Sequence, residues 1–278
     1  MNNRSFLAIV GVVVGVLALA APAQAARYDL SLGNYFSPSC TGTCPQERFQ
    51  SMMTELGLVT APVFLAPAET LGLNGFEFAF EGSVVPINNG EAYWTEAAEG
   101  NPGSVLFIPR VHVRKGLPFS CEVGTQLSYV PESELFVAGA EFKWALNEGF
   151  YFIPDLAVRF ALNHMIGAKD FELTMGGWDV SLSKAFGIGG MLSLTPYAGY
   201  NMLFIHASSH VVIYQPDPVA DPTNWDQRVF DTVNWNDNMQ HRFFVGCRMK
   251  TFIFQVVVEG SFASHSVNVF SFKLGFDY

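Results

Sequence analysis

The sequence predicts an all-β fold: a transmembrane, antiparallel, up-and-down β-barrel of about ten strands, with eight to twelve left open, behind a short N-terminal helix. Three observations predict it. The chain opens with an export leader, and segment after segment behind that leader alternates apolar and polar residues with a period of two. Half of the 278 residues are hydrophobic and only 14% are charged, against about 25% charged in a typical soluble domain.

In the leader, Arg4 is the only charge, Phe6 to Ala20 form an apolar run, and Ala23-Gln24-Ala25 makes a small-x-small cleavage site. The run is shorter than the ~20 residues a helix needs to cross a bilayer. Residues 1–26 are therefore expected to be a removed signal peptide, and no Cys follows the site to carry a lipid anchor. Without Arg4 the chain has 14 basic and 25 acidic residues, a net charge near −11. That balance argues against nucleic acid, whose binders present basic faces. Past residue 26 every long apolar run is broken by charges or Gly, so no membrane helix is expected.

Ten strands are expected near 72–84, 104–114, 119–130, 135–146, 153–163, 171–186, 191–206, 241–250, 252–262 and 268–278. Each is about the ~9–11 residues that a tilted membrane strand needs. The long connections, 85–103 and 207–240, then fall at one end, and 115–118, 147–152 and 187–190 at the other. Pro109 and Pro196 sit inside proposed strands, where a missing N–H breaks the ladder. A bulge is expected at Gly176-Gly177, where the facing pattern becomes ambiguous. Residues 210–214 and 228–233 could add an external hairpin or two more strands.

The last strand is the clearest. Phe270, Phe272, Leu274, Phe276 and Tyr278 share one face, and Ser271, Lys273, Gly275 and Asp277 the other. This ending resembles the C-terminal strand of bacterial outer-membrane β-barrels, with Tyr278 where a terminal Phe is commoner. Residues 70–278 as a whole resemble the small outer-membrane barrel proteins. The resemblance implies an outer-membrane location in contact with outer-membrane lipid and lipopolysaccharide, periplasmic barrel termini with short periplasmic turns, and recognition of the last strand by the barrel-assembly machinery.

If the apolar faces meet lipid, the other faces line the lumen. The expected lining is Glu77, Glu81, Glu122, Glu141, Asp155, Glu259 and Asp277 with Arg110, Arg114, Lys143, Arg159, Arg242, Arg248, Lys250 and Lys273. Confined charges are costly unless paired, so this near-balance predicts cross-strand ion pairs and a lumen that is closed or very narrow. Residues 27–71 form a separate N-terminal, periplasmic segment. Its helix, with Phe49, Met52, Met53 and Leu56 at helical spacing over 45–58, plugs the lumen, caps the periplasmic mouth, or belongs to a loosely packed leader. Cys40 and Cys44 could form a small disulfide in an oxidising compartment, while Cys121 and Cys247 read as small hydrophobes on lipid faces.

Acidity gathers in the two long connections: Glu91, Glu96 and Glu99 in one, and Asp217, Asp221, Asp226, Asp231 and Asp237 in the other. Calcium-loop spacing is absent, and no metal or cofactor is expected. Trp225 and Trp235 in the second connection suggest contact with an extracellular ligand that the sequence does not identify. The first functional expectation is a non-enzymatic structural or surface-interaction protein acting through these loops. The second is a narrow porin-like channel set by Arg110, Arg114, Glu122 and Arg159. A remote third rests on His206-Ala207-Ser208, which resembles the His-x-Ser of outer-membrane lipid A deacylases and would take Glu172 to orient the base.

Overall fold

The computed structural model describes residues 27–278 apart from 38, 39, 99, 217–222, 237 and 264–266. The expected signal peptide, and with it Glu99, Asp217, Asp221 and Asp237, lies outside the described residues.

Ten strands close into the barrel: β1 (Phe76–Pro86), β2 (Val105–Leu117), β3 (Cys121–Tyr129), β4 (Phe136–Asn147), β5 (Asp155–Ile166), β6 (Phe171–Ser183), β8 (Leu192–Ser209), β11 (Met239–Thr251), β12 (Phe254–Ala263) and β13 (Asn268–Asp277). Each pairs antiparallel with its neighbours, and β13 returns to β1 from Glu77↔Asp277 to Val84↔Phe270. Three short strands stand apart: β7 (Phe186–Ile188) lies on the start of β8, and β9 (Val212–Tyr214) pairs with β10 (Asp226–Arg228) as a separate hairpin. Among the described residues no helix is long and apolar enough to cross a membrane.

The barrel ends differ. Phe76, the C-terminus and the turns 118–120, 148–154, 184–191 and 252–253 gather at one end. The connections 87–104, 130–135, 167–170 and 210–238 emerge at the other. Outward positions are apolar and exposed, among them Phe80, Phe142, Phe160, Phe243 and Phe272. A closed ring leaves no strand edge, and an apolar outer wall is what lipid requires.

Both prolines lie where a neighbouring strand has already stopped. Pro109 pairs with Gly82 of β1, but the β2–β3 ladder begins only at Arg110. Pro196 pairs with Cys247 of β11, beyond the last β6 partner at Tyr197. The missing N–H thus costs no ladder bond. The bulge expected at Gly176-Gly177 is absent: the pairing runs unbroken through both residues to β5 and β8. The only register shift on β4–β5 falls between Ala145 and Asn147 instead. The ambiguous facing has another cause. Phe171, Leu173 and Met175 point inward along with Asp179 and Ser181, because the two halves of the lumen are filled by different material.

That material is the N-terminal segment, which lies inside the lumen, one of the placements expected for its helix. Helix α1 (Cys44–Val59) sits in the long-connection half of the lumen. Phe49, Met52, Met53 and Leu56 pack there against inward residues of the wall, including Ile108, Val137, Met175 and Ile205. Its approach to β8 is so close that a Cβ on Gly57 would lie 2.8 Å from Ile205 carbons. From Thr60 the chain runs towards the short-turn end with no helix or strand of its own, turns through left-handed backbone at Leu65 (φ 43°), and enters β1. An eight-strand barrel is just wide enough for side chains to fill; ten strands leave room for this additional chain.

Candidate functional site

The short-turn half of the lumen is ionic, and the segment running through it is part of the network. Glu77 accepts from Arg114, from Gln255, and from Lys273 Nζ at 2.9 Å. Glu81 takes Arg110 at 3.2 Å and His112 Nδ1 at 2.9 Å. Glu122 holds Arg114 at 2.9 Å and Lys143 at 3.1 Å. Glu141 lies 3.3 Å from His112 Nε2, and Arg159 lies 3.3 Å from Asp179. Glu259 accepts from the Tyr197 hydroxyl at 2.8 Å. At the rim Lys250 meets Asp277 at 2.7 Å, while Asp155 turns to the Gly149 N–H at 2.8 Å.

Four of the wall's cations, Arg159 and Lys143 of the pairs above among them, hold residues 60–71. Arg242 donates to Asn201 and, at 2.8 Å, to the Pro62 carbonyl. Arg159 reaches the Ala66 carbonyl at 3.4 Å and lies 4.1 Å over the Phe64 ring. Lys143 donates to the Glu69 carbonyl at 2.9 Å, and Arg248 pairs with the Glu69 carboxylate. Asn163 adds a bond to the Thr60 carbonyl, and Glu122 accepts from the Leu71 N–H. Buried backbone must find partners. The two prolines, Pro62 and Pro67, reduce the number of N–H groups to satisfy, and the wall's cations meet the carbonyls.

His112 and Asp179 belong to this lining and were missed. Both are fully buried. His112 shares the inward period of Arg110 and Arg114, a signal that was legible. Asp179 lies just beyond the glycine pair that obscured the facing of β6.

At the other end the long connections are tied to the N-terminal segment. Glu55 accepts from the Asn88 N–H at 2.7 Å and the Tyr93 hydroxyl at 2.6 Å. Arg48 pairs with Glu96, and Leu32 N–H donates to Asp170 at 2.8 Å. Gln46 and Asp231 exchange bonds at 3.0 and 2.9 Å. Burial, then the bond to Glu55, pushes the Tyr93 phenol up from its ordinary value. Cys40 forms a disulfide with Cys44, the first residue of α1.

His210, at the rim, donates through Nδ1 to the Lys169 carbonyl at 2.8 Å and faces Glu172 at 3.6 Å. That carbonyl bond first, then Glu172, holds the imidazole above its usual value. The stabilisation is therefore fully present below an ordinary His value of about 6.5 and is lost as pH rises through the raised one. The His210 amide, which donates to Asp170 O at 2.8 Å, is expected to lose protection above that range, measured against the intrinsic exchange rate at each pH. His210→Ala should remove this change in protection; a protection profile identical in wild type and variant would refute the assignment.

The two tryptophans part company. Trp225 is 62% exposed on the hairpin, whereas Trp235 stacks on His206 with centroids 5.2 Å apart, on the outer wall. Glu172, expected to orient His206, instead faces His210, and Ser208 lies opposite Glu172 in register. Among the described residues no group of three or more His, Cys, Asp or Glu is placed to hold a metal ion.

A closed ten-strand antiparallel barrel with an apolar outer wall and a charged lumen is the architecture of an outer-membrane barrel. The solved structures similar to this chain are such barrels. Outer membrane protein Omp33 of Acinetobacter baumannii is 11% identical, with a TM-score of 0.32, over 74% of this chain and 98% of its own. An outer membrane channel from Pseudomonas putida F1 is 9% identical, with a TM-score of 0.37, over 78% and 100%. Ail, the attachment invasion locus protein of Yersinia pestis, is 9% identical, with a TM-score of 0.27, over 74% and 99%. Scores this low lend no weight to any functional reading. No protein-family model matches the chain, and no curated protein does.

Proposed function

We propose that this protein is a closed, non-conducting barrel of the outer membrane that works through its long-connection face, which in such barrels is the extracellular one. One observation carries this reading: the lumen is filled along its length by α1 and residues 60–71, whose side chains from Met52 to Ala68 are nearly all buried. A pore needs a continuous water path, and here the lining charges are engaged with one another or with the segment's carbonyls. The same segment knits the long connections into one surface, which favours contact over transport. Glu172 faces His210 rather than His206, which takes away the orienting carboxylate that a base at His206 would need. Refolded into planar bilayers, the mature chain is expected to be electrically silent while showing the heat-modifiable gel migration of a folded barrel. Steady single-channel openings from that folded material would overturn the closed-barrel reading in favour of a narrow channel.

A further inference from the structure

The hairpin β9–β10 and the N-terminal segment border an open cavity of about 380 Å³ on the long-connection face, within the ~300–1,000 Å³ of small-molecule sites. An aromatic column builds it. Phe49 of α1 stacks on Phe230 at 4.7 Å, Phe230 on Phe36 at 5.0 Å, and Phe36 on Tyr214 at 4.2 Å. The column anchors the hairpin to the buried plug, so the cavity wall is fixed before any ligand arrives. Two charges brace it from the side: Asp226 accepts from the Tyr214 hydroxyl at 3.0 Å, and Arg228 lies 5.8 Å over the Phe36 ring.

Among the described residues the lining carries no formal charge. It combines Phe36, Tyr214, Ile213 and the exposed indole of Trp225 with amide and hydroxyl side chains, among them Asn34 and Ser31. Asn34 donates through Nδ2 to the Glu96 carbonyl at 2.9 Å, which fixes the amide and leaves Oδ1 as its acceptor. An apolar platform beside short-range donors and acceptors suits a ligand with an apolar face and a hydroxylated edge. A phosphorylated or sulfated ligand would call for a cation in the lining, and an acyl chain would cover Asn34 Oδ1 and the Ser31 hydroxyl without offering either a hydrogen bond.

We propose that this cavity binds a neutral sugar ring, stacked on Trp225 and hydrogen-bonded at its edge by Asn34 and Ser31. The proposal deepens, and rests on, the reading of the long-connection face as the outward working surface. The source of the sugar is either a free or foreign glycan or the saccharide of the cell's own lipopolysaccharide.

The test uses the full mature chain in lipid nanodiscs. Neutral N-acetylglucosamine and galactose oligomers, a sulfated oligosaccharide, and a purified neutral O-polysaccharide are titrated by calorimetry. Binding of a neutral saccharide is expected, weakened by roughly tenfold in Trp225→Ala, as for a central aromatic contact, and weakened also in Asn34→Ala. Trp235→Ala, on the outer wall, is expected to bind as wild type. Binding to the oligomers alone would point to foreign glycans, and binding to the O-polysaccharide to the cell's own. Binding to none, only to the sulfated oligosaccharide, or equally by Trp225→Ala would overturn the proposal. Absence of sugar binding in an electrically silent barrel would sink this inference alone. A conducting barrel that still bound sugar through Trp225 would instead remove the closed-barrel reading and keep the cavity.

Discussion

Deleting residues 27–71 is expected to convert the silent barrel into a conducting one with a preference for anions. The deletion removes α1 from one half of the lumen and residues 60–71 from the other. With it go the Pro62, Ala66 and Glu69 carbonyls that Arg242, Arg159 and Lys143 hold, and the carboxylate that Arg248 pairs with. Arg242 and Arg248 then face water with no carboxylate beside them, while Arg159 keeps Asp179, Lys143 keeps Glu122, and the Glu77 and Glu81 pairs remain internally neutralised. A ring of ten strands is wider than the roughly eight that side chains alone can fill, so collapse onto a sealed core is not expected. Single-channel recording and the reversal potential in a salt gradient would read both effects. A deletion variant that migrates as a folded barrel yet passes no current would show that the wall seals itself.

The largest single-residue effect on stability is expected at Glu77. This carboxylate is almost wholly buried and serves Arg114, Lys273 and Gln255 at once, next to the β1–β13 seam. Removing one partner of a buried ion pair costs about 3–5 kcal/mol, because the stranded charge remains. Glu77→Gln should therefore lower stability by that order in urea titrations of the refolded protein, followed by the heat-modifiable band. Pairing it with Lys273→Met should recover part of the loss, a coupling that a double-mutant cycle isolates. If Glu77→Gln unfolds within 1 kcal/mol of wild type, as an ordinary surface change would, the ion cluster does not hold the seam.

The barrel was legible because in the short-turn half each strand states its two faces openly. Phe76, Phe78 and Phe80 against Glu77 and Glu81 leave one assignment, and the same holds for β2, β3, β4 and β13. In the long-connection half the inward residues are apolar as well, as with Leu173, Met175, Leu203 and Ile205. There alternation no longer distinguishes lipid from lumen, and a glycine pair was mistaken for a bulge. The helix over 45–58 showed its period, but the partner of that apolar face did not. Met52 or Leu56 has the same chemistry whether it meets a leader, a membrane or a lumen, and only a non-local contact decides. The role of residues 60–71 was hidden for a related reason. Apart from the Glu69 carboxylate and the Phe64 ring, their part in the ionic network is played by backbone groups, which every sequence has.

The route of residues 60–71 also orders the assembly of the molecule. The ring closed by β1 and β13 encircles residues 60–71 of the same chain, with α1 filling the long-connection half of the lumen and the start of β1 at the short-turn mouth. A helix is about 10–12 Å across with its side chains, so the folded head cannot slip back through the ring beside packed walls. Either the ring closes around a tether already in place, or the head passes through unfolded and winds up on arrival. In both cases the finished protein is threaded, like a bead held by its own knot. Full release of the tether then requires the ring to open or the head to melt, which couples two parts that share no covalent closure.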